Sequence, residues 1–351
     1  MSLRERLAAQ IRLGGPLTVA QYMAACLYDP QDGYYAVRPA LGAQGDFVTA
    51  PGVSQMFGEL IGLWAVECWN RMGRPASVRL VEIGPGDGSL MSDLLRAARL
   101  SPAFCEAADV WLVEVSEPLR ERQRALLGDR LAWARTLEEV PAGAPILLIA
   151  NEVLDCLPAR QLVRADRGWA ERMVGLDPEG ELVFGLAPTT AIDRDASPGA
   201  VLEISAAQQA LGAEIGARVV EEGGAALLID YGRAVPGFGD TLQAIRAHRK
   251  EHPLASPGEA DLTVHADFPT VLAAAHAQGA AIPQILTRGG FLFRRGIAPP
   301  PEALTAARPD RGDEIGRQLE RLVAPDQMGE LFKAACIHRP GFVPPAFESP
   351  S

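Results

Sequence analysis

Residues 78–95, VRLVEIGPGDGSLMSDLL, constrain the fold of this chain more than any other segment. An apolar run of strand length at 78–83 ends in the glycine-rich turn 84–88, after which leucines return at helical spacing. Glycines in such a turn permit positive φ and remove Cβ atoms, so backbone amides and the helix N-terminus can approach a polar ligand closely. The segment therefore predicts a strand, a tight turn and a helix that bind a nucleotide-like cofactor. An ordinary strand-to-helix turn without a ligand is the alternative.

The acidic residues near this turn indicate which cofactor it binds. The glycine spacing is G-x-G-x-G, whereas dinucleotide-binding turns have G-x-G-x-x-G, and Glu82 stands two places before the first glycine. A carboxylate at that position suits the ammonium of S-adenosylmethionine, which carries no pyrophosphate. The next apolar run, 109–116, predicts a second strand that ends near Glu114, whose carboxylate could accept hydrogen bonds from both ribose hydroxyls. The residues favour S-adenosylmethionine, and a nicotinamide enzyme remains the alternative.

Composition limits the class of protein. The 351 residues are 48% hydrophobic, enough for one large domain with insertions or for two domains. The longest apolar runs are strand-sized, so we expect no membrane insertion, and the net charge of −11 argues against a nucleic-acid partner. Five scattered cysteines without a C-x-x-C pair predict reduced, buried thiols in a cytoplasm. They are Cys26, Cys68, Cys105, Cys156 and Cys336.

Four regions are expected along the chain. Residues 1–75 form a helical N-terminal region with a glycine-rich loop at 34–52, in which Asp46, Phe47 and Thr49 would suit a lid over the cofactor. A Rossmann-like cofactor-binding core at 76–232, an inserted cap or substrate region at 233–284 and a completion of the core at 285–351 follow. The N-terminus is amphipathic and bears arginine like a mitochondrial presequence, but it also contains Glu5, which favours a plain first helix.

Periodicity and turn residues predict the remaining elements. Helices are expected at 117–127, 206–222, 241–251 and 269–278; strands at 131–134, 144–150, 225–229 and 290–294; an antiparallel hairpin at 160–188; and a helix followed by a strand within 314–337.

Polar side chains follow two of the predicted buried strands. Asn151, Glu152 and Asp155 come after the run 144–150, and Asp230 and Tyr231 come after the run 225–229. In open α/β sheets the carboxyl ends of the strands carry the chemistry. These residues are therefore candidates for the site.

The segment HRKEH, His248 to His252, matches the H-x-x-E-H signature of one zinc-protease class. Pro253 would end a helix directly after it, and the segment lacks the apolar flank of a buried catalytic helix. We interpret it as a chance match at a solvated helix end and predict no metal site.

Several blocks together resemble the MidA-like class I methyltransferases, a family that includes the mitochondrial arginine methyltransferase needed for assembly of respiratory complex I. The resemblance covers almost the whole chain. The matching blocks are GDFVTAP at 45–51, SQMFGE at 54–59, EIGPG at 82–86, Asn151-Glu152 with Asp155 and Leu157-Pro158, IDYG at 229–232, GDTLQA at 239–244, and DLT at 261–263 with His265, Asp267 and Phe268. Three positions depart from the family pattern and bear on substrate choice more than on fold: Gly52 where glutamate is usual, Asp87 where arginine or a similar residue is common, and Arg288 where glutamine often follows threonine.

The resemblance implies an α/β fold, a Rossmann-like doubly wound sheet with a helical N-terminal region and an inserted cap, and methyl transfer from S-adenosylmethionine to a protein arginine. In the mitochondrial members the acceptor is a subunit of the respiratory NADH dehydrogenase. The composition suits a cytoplasmic bacterial protein, and a homodimer is left open. The expected cofactor-binding residues are Asp46, Phe47, Thr49, Glu82, Gly84, Pro85, Gly86, Gly88 and Glu114.

The expected catalytic residues follow from the chemistry of methyl transfer, an in-line displacement that the protein assists by aligning the nucleophile. An arginine arrives protonated, so carboxylates must hold its guanidinium, and Glu152 and Asp155 are the candidates. Asn151 would supply an amide oxygen, and Asp230 with Tyr231 or His265 would assist substrate binding or proton removal. The alternative is that Asn151 caps a helix and the other residues lie on the surface. An inactive methyltransferase-like assembly factor and a small-molecule methyltransferase remain the other functional classes.

Overall fold

The helices and strands were located in a computed structural model, which describes residues 1–37, 50–166, 168–189, 192, 194–297, 312–324, 327 and 329–348. Helices α1–α12 cover Leu3–Gly14, Val19–Tyr28, Tyr34–Val37, Ala50–Val53, Gln55–Arg71, Ser89–Ala98, Pro102–Ala107, Glu117–Leu127, Ala206–Glu222, Phe268–Ala277, Arg288–Arg294 and Gly312–Val323. Strands β1–β16 cover Leu17–Thr18, Val78–Ile83, Ala108–Val113, Ala132–Ala134, Ile146–Asn151, Arg160–Ala165, Gly168–Leu176, Leu182–Pro188, Val201–Ile204, Gly224–Arg233, Gln243–Arg246, Arg249–Glu251, Asp261–Thr263, Ala266–Asp267, Leu286–Thr287 and Phe332–His338.

The main sheet has the strand order β15-β16-β10-β5-β2-β3-β4, with β14 beside β10. Strands β4, β3, β2, β5 and β10 are parallel, whereas β16 is antiparallel to β10. From β2 the chain proceeds to β3 and β4 on one side, and β5 and β10 lie on the other. The strand order therefore reverses between β2 and β5, and the carboxyl ends at such a switch point form the usual ligand crevice of a doubly wound sheet.

Helices cover both faces of this sheet. Leu80, Leu147 and Leu227 point to the face covered by α5 and α6, whereas the residues that follow them point to the face covered by α9 and α10. Every residue of β5 is buried, as expected for a parallel strand between two helical layers. The predicted α/β class is confirmed.

Two smaller sheets lie outside the main one. The first is antiparallel, β1-β7-β6-β9 with β8 on β7, and the second is β12-β11-β13. The predicted hairpin at 160–188 is part of the first sheet. A common apolar core joins helices α1 and α2 to both small sheets, and the Tyr22 hydroxyl donates to the Pro253 carbonyl over 2.9 Å. The N-terminal helices and the segment 243–263 therefore pack as one layer.

Two predicted elements are wrong. Residues 241–251 form the hairpin β11–β12 and no helix; Ala247 and His248 make its two-residue turn with φ of 48° and 60°. The H-x-x-E-H match therefore does not place its histidines on one helical face. Residues 290–294 belong to helix α11, whose N-terminus is capped by the Thr287 hydroxyl, which accepts from the Gly290 amide over 3.0 Å.

The other predicted helices and strands are confirmed, including the first helix, the strand at 132–134, and the helix and strand that follow residue 312. The loop predicted at 34–52 contains the short helices α3 and α4 at its ends, and Asp46, Phe47 and Thr49 lie outside the described residues. All five cysteines are free, but Cys105 is exposed, so the prediction that every thiol is buried is wrong. Among the described residues no helix has the length and apolarity to cross a lipid bilayer.

Candidate cofactor and acceptor site

A cavity of about 550 Å³ opens at the switch point, where β2, β3 and β5 end. The predicted site residues among its lining are Glu82, Gly84, Pro85, Gly86, Glu114, Asn151 and Glu152. Sequence reasoning missed Tyr28, Tyr35 and Cys156, which line the same cavity. One cavity therefore joins the predicted cofactor residues to two of the predicted catalytic residues.

The glycine turn forms the floor of this cavity. Gly84, Gly86 and Gly88 have φ of 63°, 56° and 87°, which glycine adopts without steric cost. A Cβ atom at Gly84 would lie 2.7 Å from Cγ2 of Val153, so the turn passes directly against the loop that follows β5. Gly88 directly precedes α6 as its N-cap residue and does not line the cavity.

Glu82 places a buried carboxyl at the cavity wall. Its side chain is 2% exposed, and its Oε2 atom has no hydrogen-bond partner in the part of the chain that the structure describes. Burial, followed by the charges of Asp87 and Glu114, raises the pKa of Glu82 to about 8. A buried acceptor of this kind suits a cationic ligand such as an ammonium.

Glu114 directly follows β3, and its carboxylate is held by a nearby backbone amide and by one side chain. Its Oε1 atom accepts from the Ser116 amide over 2.8 Å, and its Oε2 atom accepts from Gln123 Nε2 over 3.4 Å. Gln123 also donates to the Gly86 carbonyl over 2.7 Å and accepts from Trp133 Nε1 over 2.9 Å. Gln123 was not predicted as a site residue, because the only sequence signal is one uncharged polar side chain in a helix with many charged residues.

Asn151 and Glu152 present polar atoms where β5 ends. Glu152 Oε1 accepts from the Ala50 amide and from Asn151 Nδ2, each over 3.1 Å, and the Glu152 amide donates to the Ile229 carbonyl over 2.8 Å. Burial raises the pKa of Glu152, and these donors oppose the rise. Asn151 Oδ1 has no hydrogen-bond partner within the described ranges. No helix follows at 152–158, so the alternative in which Asn151 caps one is wrong.

Asp230 fixes the loop that carries Glu152. Its Oδ2 atom accepts from the amides of Val153, Leu154 and Asp155 over 3.1, 2.8 and 3.2 Å, and its Oδ1 atom accepts from the Tyr231 amide over 2.8 Å. Burial and the charge of Glu152 raise the pKa of Asp230 to about 8, and its amide donors oppose that rise. Burial, followed by the charges of Asp230 and Asp261, raises the pKa of Asp155 well above its usual range.

Tyr231 and His265 lie behind this loop. The Tyr231 hydroxyl donates to Thr263 Oγ1 and accepts from Gln243 Nε2, the latter over 3.1 Å. The His265 ring meets the Tyr231 ring edge to face at 5.3 Å, and burial together with Arg233 lowers the pKa of His265. Asp155, Asp230, Tyr231 and His265 do not line the cavity. They are mostly buried, so the alternative of surface residues is also wrong.

The three departures from the family pattern lie in different surroundings. Gly52 is exposed, and Asp87 lines the cavity. Arg288 is fully buried, stacks on the Phe332 ring at 4.3 Å and donates to the Leu322 carbonyl over 3.2 Å. Burial lowers the pKa of Arg288 to about 10, and the charge of Glu152 opposes that shift. Arg288 is therefore a buried cation within electrostatic reach of the cavity.

The chain is similar in sequence and in structure to known proteins. Residues 60–286 match a family model described as "Putative S-adenosyl-L-methionine-dependent methyltransferase". "Protein arginine methyltransferase NDUFAF7, mitochondrial" is 35% identical in Danio rerio, over 95% of this chain and 86% of the relative, and 33% identical in Homo sapiens, over 92% and 80%. A solved structure described as a "likely methyl transferase from Burkholderia thailandensis bound to S-adenosyl-homocysteine" is 28% identical with a TM-score of 0.83, covering 99% of this chain and 92% of the other.

These comparisons overturn one prediction from the sequence. A cytoplasmic bacterial location was expected, but relatives from Danio rerio, Drosophila melanogaster and Homo sapiens are named as mitochondrial proteins. Acidic charge and an alanine-rich composition are shared by proteins of many compartments, so they were a poor basis for that prediction.

Proposed function

This chain belongs to the family of S-adenosyl-L-methionine-dependent methyltransferases that includes the NDUFAF7 arginine methyltransferases, and on that premise we propose that it methylates an arginine side chain of a protein. The observation that supports this proposal most directly is that the carboxyls of Glu82 and Glu152 line one cavity. One carboxyl suits the ammonium of the cofactor, and the other suits the cationic acceptor.

The cavity residues fit the cofactor. Glu82 Oε2, which has no hydrogen-bond partner among the described residues, would accept from the ammonium, and the open backbone at Gly84 and Gly86 would face the amino-acid end. The Glu114 carboxylate would accept from the ribose hydroxyls, because Ser116 and Gln123 already fix its orientation. When bound, the cofactor supplies a methyl group on a positively charged sulfur.

Glu152 and Asn151 would hold the acceptor. A guanidinium is protonated at neutral pH and presents a planar fork of N–H donors, which a carboxylate binds in bidentate fashion. Such a pair draws the positive charge toward Glu152 and away from the nitrogen that attacks. Asn151 Oδ1, which has no hydrogen-bond partner in the described part of the chain, would accept a further N–H. The raised pKa of Glu152 suits it to take the proton that the nitrogen loses.

The remaining predicted residues act through this loop. Asp230 holds the amides of residues 153–155, so it sets the position of Glu152 without touching the acceptor. Tyr231 positions the cap strand β13 against β10 through Thr263 and Gln243, and the His265 ring packs edge to face on the Tyr231 ring. The family resemblance further supports a subunit of the respiratory NADH dehydrogenase as the acceptor protein.

Incubation of the purified protein with methyl-labelled S-adenosylmethionine and arginine-bearing polypeptides tests the proposal. We expect label on arginine, at least a hundredfold less with Glu152→Gln, and unchanged S-adenosylhomocysteine binding in that variant. Glu67→Gln is the matched control, because Glu67 forms surface ion pairs with Arg71 and Arg295. Cofactor binding without any labelled product would instead support a binding-only assembly factor. Label that forms on small molecules in the absence of polypeptide would support a small-molecule methyltransferase.

A further inference from the structure

Two tyrosines from the N-terminal helices line the cavity beside the β5 loop. Tyr28 ends α2 and Tyr35 lies in α3, so neither belongs to the main sheet and its covering helices. Their ring centroids lie 5.9 Å apart with 31° between the ring planes. The N-terminal region therefore contributes an aromatic wall, Tyr28 with Tyr35, to a cavity otherwise built mainly from strand ends.

The hydroxyls of the wall are already engaged. Tyr28 donates to the Cys156 carbonyl over 2.9 Å, and Tyr35 donates to Asp261 Oδ1 over 2.9 Å. Burial keeps both phenols neutral by raising their pKa well above the ordinary value. Because the hydroxyls are held by the β5 loop and by the cap strand β13, the two rings are fixed in position. A ligand in the cavity would therefore contact the aromatic rings and not the hydroxyls.

The anchors also place the wall beside the loop that carries Glu152. Cys156 lies four residues after Glu152 in the same loop, and Asp261 begins the cap strand β13. Glu82 lies in the neighbouring strand β2, and Glu114 directly follows β3. The wall therefore lies against the loop that carries Glu152.

We propose that Tyr28 and Tyr35 form the aromatic side of the acceptor subsite and select a planar guanidinium over a lysine ammonium. This inference depends on the proposed function, and it deepens it. An aromatic face attracts a cation through its quadrupole, and a guanidinium stacks on such a face because it is flat and weakly hydrated. A lysine ammonium is compact and strongly hydrated, so it gains less from the rings. Glu152 supplies charge to either cation, whereas the wall discriminates by shape.

Peptide binding tests the wall without turnover. The protein is saturated with S-adenosylhomocysteine and titrated calorimetrically with a glycine-rich peptide that carries one arginine, or with its lysine counterpart. We expect wild type to prefer the arginine peptide. Tyr28→Leu and Tyr35→Leu should weaken binding of the arginine peptide by roughly 5- to 30-fold and narrow the preference. Tyr28→Phe and Tyr35→Phe keep the ring and should retain most of the preference.

Tyr22→Leu is the matched control, because Tyr22 is a buried tyrosine of α2 that does not line the cavity. The S-adenosylhomocysteine affinity of each variant reports whether the fold and the cofactor site are intact. Unchanged arginine-peptide affinity in both leucine variants would refute the proposed role of the two tyrosines in acceptor binding. It would not contradict the proposed methyltransferase activity. A loss of S-adenosylhomocysteine affinity without a loss of peptide affinity would show that the rings bind the cofactor. That outcome would also refute their proposed role in acceptor binding. Absence of arginine labelling by wild type would contradict the proposed function itself.

Discussion

Glu82 and Glu114 lie at the ends of adjacent parallel strands and line the same cavity, so the charge of Glu114 disfavours ionisation of Glu82. Glu114 is oriented by the Ser116 amide and by Gln123, whereas Glu82 Oε2 has no donor among the described residues. With its pKa raised to about 8, Glu82 holds a proton at neutral pH until a cation arrives. Cofactor binding should therefore be coupled to proton release.

The affinity for S-adenosylhomocysteine should rise with pH below about 8. The free protein must release the Glu82 proton before the carboxylate can pair with the ligand ammonium, and each pH unit below its pKa of about 8 costs up to about tenfold in affinity. Calorimetric dissociation constants at pH 6 and pH 7 measure this slope. Glu82→Gln should bind more weakly and lose most of the slope. An identical wild-type affinity at the two pH values would rule out the coupling.

The same carboxyl should destabilise the unliganded protein at alkaline pH. Its pKa is about 8 in the folded state against an ordinary 4.5, so the unfolded chain releases this proton first as pH rises. The Glu82 contribution to stability is therefore fully present below pH 4.5 and is lost between 4.5 and 8, by at most about 1.4 kcal/mol per pH unit. We expect Glu82→Gln to raise Tm relative to wild type more at pH 8 than at pH 5. Equal shifts at both pH values would refute the assignment.

Asp230→Ala should destabilise the fold strongly. It removes the acceptor of four buried amides, and unsatisfied buried donors cost about 1–3 kcal/mol each before the loop relaxes, so a net loss of roughly 3 kcal/mol is expected. Asp240→Ala is the comparison, because Asp240 pairs with Arg172 at the surface, where ion pairs contribute roughly 0–1 kcal/mol. Urea unfolding of both variants gives the two free energies. A loss for Asp230→Ala no larger than that for Asp240→Ala would count against the role of Asp230.

Gly62→Ala should destabilise the helical layer even though alanine favours a helix. A Cβ atom at Gly62 in α5 would lie 2.5 Å from the Leu94 carbonyl oxygen in α6, so the two helices must separate, at a cost of about 1–3 kcal/mol. Gly185→Ala in β8 meets no atom within 4 Å among the described residues and should change stability little. Chemical denaturation that shows equal stability for both variants would contradict the close approach of α5 and α6.

Short-range sequence patterns predicted those site residues whose position depends on a single continuous segment of the chain. The turn at 84–88 and the buried run before Asn151 are continuous in sequence, so strand length, glycine spacing and helical periodicity were sufficient to place Glu82, Gly84 and Glu152. The helix predicted at 241–251 is wrong because local sequence and tertiary structure disagree there. Alanine, arginine and glutamate favour a helix, whereas the pairing of β11 with β12 and β13 determines the structure of this segment. The turn residues Ala247 and His248 lack the asparagine and glycine that usually indicate such a hairpin.

Other site residues depend on contacts that no local pattern encodes. Tyr28 reaches the cavity because α2 packs beside the loop of Cys156, well over one hundred residues along the chain. The only sequence signal for Tyr35 is its position within the predicted glycine-rich loop at 34–52. Tyr231 and His265 were predicted to assist at the site, but the sequence could not indicate that their rings pack against each other outside the cavity lining.

Glu152 has φ of 54°, a left-handed conformation that most side chains avoid and glycine adopts freely. At this position a glycine would relieve strain of about 1–2 kcal/mol, so selection for stability alone would favour it. Under the proposed function, the glutamate therefore sets the requirement of the reaction against the stability of the fold. Relatives that lost the reaction but kept the scaffold should drift toward glycine or asparagine here, which makes residue 152 a marker for separating active lineages from those that retain only the fold.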